Sequence, residues 1–401
     1  MKLLVIQEQH FYRMPDGEVW TKEQSDSKFW ERYLNIFEEI IVCARFEKMK
    51  EKNTNGLLKS DHENVSFIEL PNFRGVKGLI KNFFKTKKII RNAIDMSDRI
   101  IFRAPSPISM VAYPIVRKCG KPFATELMNN PYTHYSPQAM KHIYQPIIRK
   151  IIVKQTKSLC KDANGVAYVT ENVLQKLYPC QSLKYGTNNK YFDSSYSTIR
   201  LDEEDYFYDK NSIDNNTDII KFIHTGKMED NRKGQDIVIQ TIALLKDKGY
   251  NVKCTLVGDG EKRHEFEQLS KSLNVGNCIN FVGWKAGFDE LKTELRKSQI
   301  GIFPSIGEGL PRSIIEAMSQ GVLCFGSEID GIVELLDEKF LIKKLEPQFF
   351  AEKISYFLDN LDKIEVERKK QFEKSKEYEY KKLEKKRNVF YKKLKEVNVN
   401  E

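Results

Sequence analysis

Short runs of β-branched and other apolar residues return every 20 to 40 positions along this chain, each separated from the next by a helical pattern. In the first half the runs fall at 3–7, 40–45, 65–70, 99–103, 122–127 and 165–170; in the second, at 218–225, 251–258, 278–283, 300–304 and 322–326. Strands joined through helices lie parallel, because the crossover returns the chain to the same end of the sheet. Two series of such units predict an α/β fold of two doubly wound, Rossmann-like domains. Sheets of this kind bind ligands beyond the carboxyl ends of their strands. Functional loops are therefore expected directly after strands, opening on a cleft between the two domains.

A length of 401 residues also exceeds what one core usually organises. The polar, acidic stretch 202–216 lacks apolar periodicity and marks the expected boundary. The expected division is 1–205 for an N-terminal Rossmann-like domain and 206–375 for a C-terminal Rossmann-like domain. The remainder, 376–401, reads as a helical tail packed on the surface or back toward the N-terminal domain, with aromatics at helical spacing. No apolar run reaches the ~18 residues of a spanning helix, and the N-terminal run is too short for a signal peptide. Seven scattered cysteines without a CxxC pair argue against a disulfide framework and a zinc site. A cytoplasmic protein is expected, at most peripheral to the inner face of the plasma membrane.

Charge is uneven. Residues 1–200 hold 32 Lys and Arg against 19 Asp and Glu, whereas the rest holds 34 against 37. The stretches 77–91 and 147–154 interleave cationic and apolar residues as an interfacial helix would, and equally as a packed helix with a solvated basic face. They make an anionic membrane surface a candidate partner. No recognition module points to nucleic acid.

The most specific segment is Phe303-Pro304-Ser305-Ile306-Gly307-Glu308-Gly309-Leu310-Pro311-Arg312-Ser313-Ile314-Ile315-Glu316-Ala317-Met318-Ser319-Gln320-Gly321. A strand ends at Pro304, a glycine-containing loop follows, and Pro311 suits a helix start because its missing N–H is unpaired there anyway. Gly321 suits the helix end. Amides near Gly309, Leu310 and Arg312 would form a positive pole fit for phosphate or a polarised sugar hydroxyl. Glu308 sits at that pole, with Glu316 about one and a half turns further, roughly 6–8 Å along the axis. Two carboxylates so spaced could grip both hydroxyl-bearing ends of one ligand, as could two solvated glutamates of an ordinary loop and helix.

This stretch resembles the Glu-x7-Glu signature of retaining GT-B glycosyltransferases of the family 4 type, which includes many bacterial polysaccharide and lipopolysaccharide enzymes. The resemblance spans essentially the whole chain and is strongest over about 220–335. It implies a GT-B fold and a nucleotide-diphosphate sugar as donor substrate, with no separate cofactor and no metal. It further implies that Glu308 meets the donor sugar beside the reacting carbon and that Glu316 binds the ribose. The backbone at Gly309, Leu310 and Pro311 would hold sugar and phosphate.

After the strand at 218–225 comes Gly226-Lys227-Met228-Glu229-Asp230-Asn231-Arg232-Lys233-Gly234. Cations preorganised there would stabilise the charge that develops on a departing diphosphate. The family usually has Arg directly after the glycine; here Lys227 stands in its place, a point charge instead of a planar fork. Arg232 and Lys233 are adjacent candidates for the second cation. The turn carrying Asp259 and the backbone around Gly283 would line the nucleotide side. In the first half, Arg103 and the loop with Asn130 and His134 follow strands and resemble acceptor-side loops of polysaccharide-forming members. Asn130 and His134 could recognise hydroxyls or merely cap the loop.

No Ser/His/Asp set and no metal-ligand cluster is evident. The expected reaction is transfer of a hexose-type sugar, with retention, to a glycan or lipid-linked acceptor in cell-surface polysaccharide synthesis. A GT-B-fold nucleotide-sugar epimerase and a non-catalytic subunit of a glycosylation complex are the alternatives.

Overall fold

Leu3, Leu4, Val5 and Ile6 are all fully buried, the mark of a strand covered on both faces, as in the middle of a parallel sheet. They lie in the first strand of the computed structural model of the chain, which describes residues 1–22, 25–73, 75–138, 143–209, 219–285 and 287–398. The chain divides into two compact units: Met1–Pro131 with Ile147–Tyr196 and Leu383–Glu401, and Tyr132–Pro146 with Ser197–Lys382.

The first unit holds β1 (Lys2–Arg13), β2 (Val19–Thr21), β3 (Glu39–Lys48), β4 (Leu58–Lys59), β5 (Val65–Leu70), β6 (Arg99–Ala104), β7 (Phe123–Leu127), β8 (Gly165–Tyr168) and β9 (Phe192–Ser195). The long strand β1 pairs in parallel with β3 on one side and β6 on the other. The parallel sheet therefore runs β5-β3-β1-β6-β7-β8-β9, and β2 and β4 add an antiparallel ribbon at the far end of β1. The second unit holds β10 (Ile220–Thr225), β11 (Val252–Val257), β12 (Ile279–Gly283), β13 (Ile300–Phe303), β14 (Leu323–Ser327) and β15 (Leu341–Ile342). Its order is β12-β11-β10-β13-β14-β15, with every pairing parallel. Both sheets thus reverse strand order once, between β1 and β6 and between β10 and β13. Ligand crevices of doubly wound sheets form at that reversal.

The units differ from the expected division at Tyr132–Pro146 and at the boundary, where the second unit begins at Ser197, while the tail takes one of its two expected placements. The first unit gives up Tyr132–Pro146 to the second, and the last helix joins the first unit from Leu383 onward, back toward the N-terminal domain. That helix, Tyr380–Glu396, buries Leu383, Arg387, Phe390, Tyr391 and Leu394. Its last carbonyls are capped by Arg99, whose Nε donates to Leu394 O at 2.9 Å and whose Nη2 donates to Lys395 O and Val397 O at 3.0 and 2.8 Å. Residues 210–216 of the expected linker lie outside the described residues. Among the described residues no helix is long and apolar enough to cross a membrane, and all seven cysteines are unbonded thiols.

Candidate active site

The loops after β10 and β13 stand on the two strands between which the second sheet reverses, with Phe222 in register with Ile300 and Ile223 with Gly301. Two close approaches lock these loops together. Gly234 adopts φ +76°, and a Cβ there would lie 2.4 Å from Pro304 O, so no larger residue lets the loops meet. Ile306 N–H donates to Arg232 O at 2.9 Å. The turn before Gly234 is a single 3-10 turn, Asn231–Lys233, started by Asp230, whose side chain accepts from Arg232 N–H.

This geometry separates the two adjacent cations. The Arg232 Nε donates to Asp230 Oδ2 at 2.7 Å, an ion pair within its own turn. The Lys233 ammonium instead pairs with Glu308 across the two loops. Glu308 is nearly buried, its side chain only 10% exposed. On the helix Arg312–Ser319, Glu316 is pushed above the ordinary carboxylate range by burial, and the charges of Arg312 and then Lys233 oppose that rise. Lys233 therefore bears on both carboxylates. Lys227 lies two residues beyond the end of β10 and is exposed, and its carbonyl, like that of Gly226, accepts from Gln235 Nε2 at 3.0 and 3.2 Å. Gln235 is fully buried at the head of the helix Gln235–Asp247.

Gly309 and Leu310 are buried, and Pro311 occupies the N-cap of the following helix, which ends at Ser319 with Gly321 beyond it at φ +71°. Asp259 is exposed and pairs with Arg263 at 3.3 Å. Gly283 lies at the same place: its carbonyl accepts from Gly258 N–H at 2.9 Å, and Arg263 Nη2 donates to the neighbouring Phe281 O at 3.2 Å. Arg263 was not singled out in the sequence; its position on the helix after the turn was the available signal.

The loop that the sequence placed on the acceptor side splits. Asn130 belongs to the first unit, is 4% exposed and accepts from Tyr178 Oη at 2.7 Å, a buried side-chain contact within that unit. His134 belongs to the second unit, in the short helix Pro131–His134. Burial, then the positive charge of Arg232, pushes its pKa down to about 4, while Glu308 and Asp230 oppose the fall. A second histidine, unremarked in the sequence, sits beneath the loops: His224 is fully buried, its Nδ1 is 2.7 Å from Ile302 O, and burial likewise lowers its pKa to about 4. Two neutral imidazoles thus adjoin the Lys233–Glu308 pair.

Arg103 lies in the first unit. Its Nη1 donates to Glu126 at 2.9 Å and to Tyr33 Oη at 3.1 Å. The Glu126 carboxylate also accepts from the hydroxyls of Tyr33, Tyr196 and Tyr391 at 2.9, 3.1 and 2.5 Å. Burial drives Glu126 upward, but Arg103 and these hydroxyls outweigh it and hold its carboxyl below the ordinary range. Arg103 is thereby tied into a buried network. Among the described residues no group of three or more His, Cys, Asp or Glu side chains is placed to hold a metal ion.

Comparison with known proteins agrees with this architecture. The family described as "Glycosyl transferases group 1" matches residues 220–360, the segment that carries both loops. Protein CapJ of Staphylococcus aureus is 30% identical over 319 residues, 79% of this chain and 76% of CapJ. The amylovoran biosynthesis glycosyltransferase AmsK of Erwinia amylovora is 29% identical over 112 residues, 26% of this chain and 27% of AmsK. Among solved structures, Anabaena HepE in complex with UDP and glucose superposes with a TM-score of 0.64 at 16% identity, covering 96% of this chain and 97% of HepE. The chain belongs to the group 1 glycosyltransferases of the GT-B fold, and it is a family 4-like member of them.

Proposed function

We propose that this protein moves a hexose-type sugar from a nucleotide diphosphate to a glycan or lipid-linked acceptor, with retention of configuration and without a metal, in cell-surface polysaccharide synthesis. One observation carries the reading: Lys233 pairs with Glu308 in the loop that leads into the helix carrying Glu316, so a cation and two acids are gathered along one loop and helix. A nucleotide sugar has the complementary layout, with hydroxyls at both ends and a diphosphate between. AmsK, by its name, serves amylovoran biosynthesis, and HepE was crystallised with UDP and glucose; both support the choice of substrate class.

In the proposed reaction Glu308 holds the donor sugar beside the reacting carbon and Glu316 the ribose. The bond from the anomeric carbon to the phosphate oxygen breaks as the acceptor oxygen bonds to the same face. The acceptor proton passes to the departing phosphate. Lys233 stabilises the charge growing on that phosphate, a contact worth a few kcal/mol of barrier in a dry site; Lys227 is its proposed partner. Neutral His134 can donate to or accept from a hydroxyl. Arg103 and Asn130 serve the acceptor side by supporting its loops. The exposed residues of the helices Gly75–Lys81, Phe83–Asp95 and Gln145–Asp162 rest on an anionic membrane surface.

Thermal-shift screening with UDP-, GDP- and ADP-sugars identifies the donor, since a ligand at 100 times its Kd adds ~2.7 kcal/mol of stability. With that donor, Glu308→Gln should abolish transfer and leave donor affinity within a few-fold. NMR of the product should show the donor's anomeric configuration, and chelator should leave the rate unchanged. Full transfer by Glu308→Gln, or an inverted product, sinks the reading.

A further inference from the structure

Asp330 sits in the turn between β14 and the short helix Ile332–Leu335 with φ +41°. This left-handed conformation is unusual for any residue with a side chain. It is 9% exposed. Its Oδ2 accepts from Glu308 N–H at 3.2 Å and from Thr133 Oγ1 at 2.6 Å. The next residue, Gly331, donates its N–H to Gly309 O at 2.9 Å, and a Cβ at Gly331 would lie 2.0 Å from that oxygen. Two consecutive residues thus grip two consecutive residues of the loop, one through a carboxylate and one through the backbone.

Glycine would adopt this φ without strain, so the backbone alone does not call for an aspartate. What the aspartate adds is a charged acceptor, which makes stronger hydrogen bonds than a neutral one. Both donors lie in the candidate site. The Glu308 amide sets the peptide plane from which the Glu308 side chain reaches Lys233. Thr133 immediately precedes His134 and packs against the same loop, its carbonyl carbon 3.1 Å from where a Cβ on Gly307 would stand.

We propose that Asp330 is a positioning residue: its carboxylate fixes the Glu308 peptide and ties it to Thr133, holding Glu308 and His134 in mutual register. The proposal deepens the reading of Glu308 as the group at the donor sugar and rests on it. Backbone strain at a functional turn is thereby exchanged for a defined side-chain direction.

Three full-length variants test it: Asp330→Gly, which suits the backbone and lacks the acceptor; Asp330→Asn, which keeps an acceptor oxygen; and Glu308→Gln. Each is produced in a strain lacking the gene, with surface polysaccharide and protein amount measured. Hydrogen exchange of purified protein follows the amides of 305–310. Asp330→Gly should cut polysaccharide at least tenfold at equal protein amount and speed exchange of the Glu308 amide at least tenfold. Asp330→Asn should recover most of both, a rescue that a purely structural role at this turn would not give. If Asp330→Gly makes polysaccharide at the wild-type level while Glu308→Gln makes none, the positioning role is overturned and the donor reading stands. If Glu308→Gln makes it at the wild-type level, the donor reading fails, and unchanged exchange at the Glu308 amide in Asp330→Gly then overturns the positioning role separately.

Discussion

Glu316, the proposed ribose-binding residue, carries a cost to the fold. Burial lifts its carboxyl above the ordinary range, and Arg312 and Lys233 only partly offset this. The folded protein therefore holds a carboxylate in a place that disfavours its charge. Glu316→Gln should raise the Tm by a few degrees, yet weaken donor binding roughly tenfold or more, since hydrogen bonds to a charged acceptor contribute about 1.5–3 kcal/mol. Calorimetry and donor titration read the two together; a variant that is less stable and binds as well as wild type contradicts the assignment. The two histidines have the opposite acid–base character. His134 and His224 each fall to about 4 in the fold, chiefly through burial, against ~6.5 in the unfolded chain. The neutral form is thus the folded form. Its stability is complete above pH ~6.5 and is lost as pH falls toward 4, by up to ~3 kcal/mol for each ring. Denaturant unfolding at pH 7.5 and pH 4.5 should show a smaller acid loss in His224→Gln than in wild type; equal losses refute it. Glu308 and Glu316 could be singled out from sequence because one local motif orders them, whereas Lys233 stands in a separate loop and was legible only as one of two adjacent cations with Arg232. Asp330 could not, because its role depends on a backbone angle and on a partner 22 residues away.

At the scale of elements, the legible strands were the apolar ones. All eleven expected runs became strands, and those missed among the described residues were β2, β4, β9 and β15, of two to four residues each. Leu58–Lys59 is exposed throughout, and Phe192–Ser195 reads FDSS with Phe192 alone buried, so neither shows the apolar run or alternation that makes a strand recognisable. The basic helices were legible as amphipathic but not as packed or free. The structure shows what they expose: Ile80 is 69% and Phe84 84% accessible, beside the exposed Lys77, Lys81, Lys85 and Lys88, with Ile147 and Ile151 on the helix Gln145–Asp162. Each lysine near an anionic surface is worth about 1 kcal/mol at low salt. Lys81→Glu combined with Lys85→Glu should lower co-flotation with phosphatidylglycerol vesicles by more than tenfold, and raised salt should do the same to wild type. Retention by neutral phosphatidylcholine vesicles to the same degree contradicts the electrostatic part.

At the scale of the molecule, the chain leaves its first unit at residue 131, returns at 147, leaves again at 196 and comes back at 383. The sequence displayed the closing helix as a run of Lys and Glu with spaced aromatics and left its docking open between the surface and the N-terminal domain, because the outcome depends on Tyr33, Glu126, Phe192 and Tyr196, far upstream. There Phe390 meets Phe192 and Tyr196 at ring distances of 5.2 and 6.0 Å, and Tyr391 meets Tyr33 at 5.0 Å and donates to Glu126. Leu383, Phe390, Tyr391, Leu394 and Val397 are each at most 2% exposed. At ~1.5–3 kcal/mol for each large buried side chain, their burial amounts to on the order of 10 kcal/mol as an upper bound. A whole domain's stability is typically about 5–15 kcal/mol. The last helix is therefore integral to the first unit's core and not an appendage. Removing 383–401 should abolish the folding of the first unit, visible as lost amide protection over β1 and β6–β9, while β10–β15 of the second unit keep theirs. Tyr391→Phe, which removes one hydroxyl from Glu126 and keeps the ring, should cost only about 1–2 kcal/mol. If the truncated chain retains full protection in β1 and β6–β9, the first unit closes its core without the helix, and its return across the chain has no stabilising role.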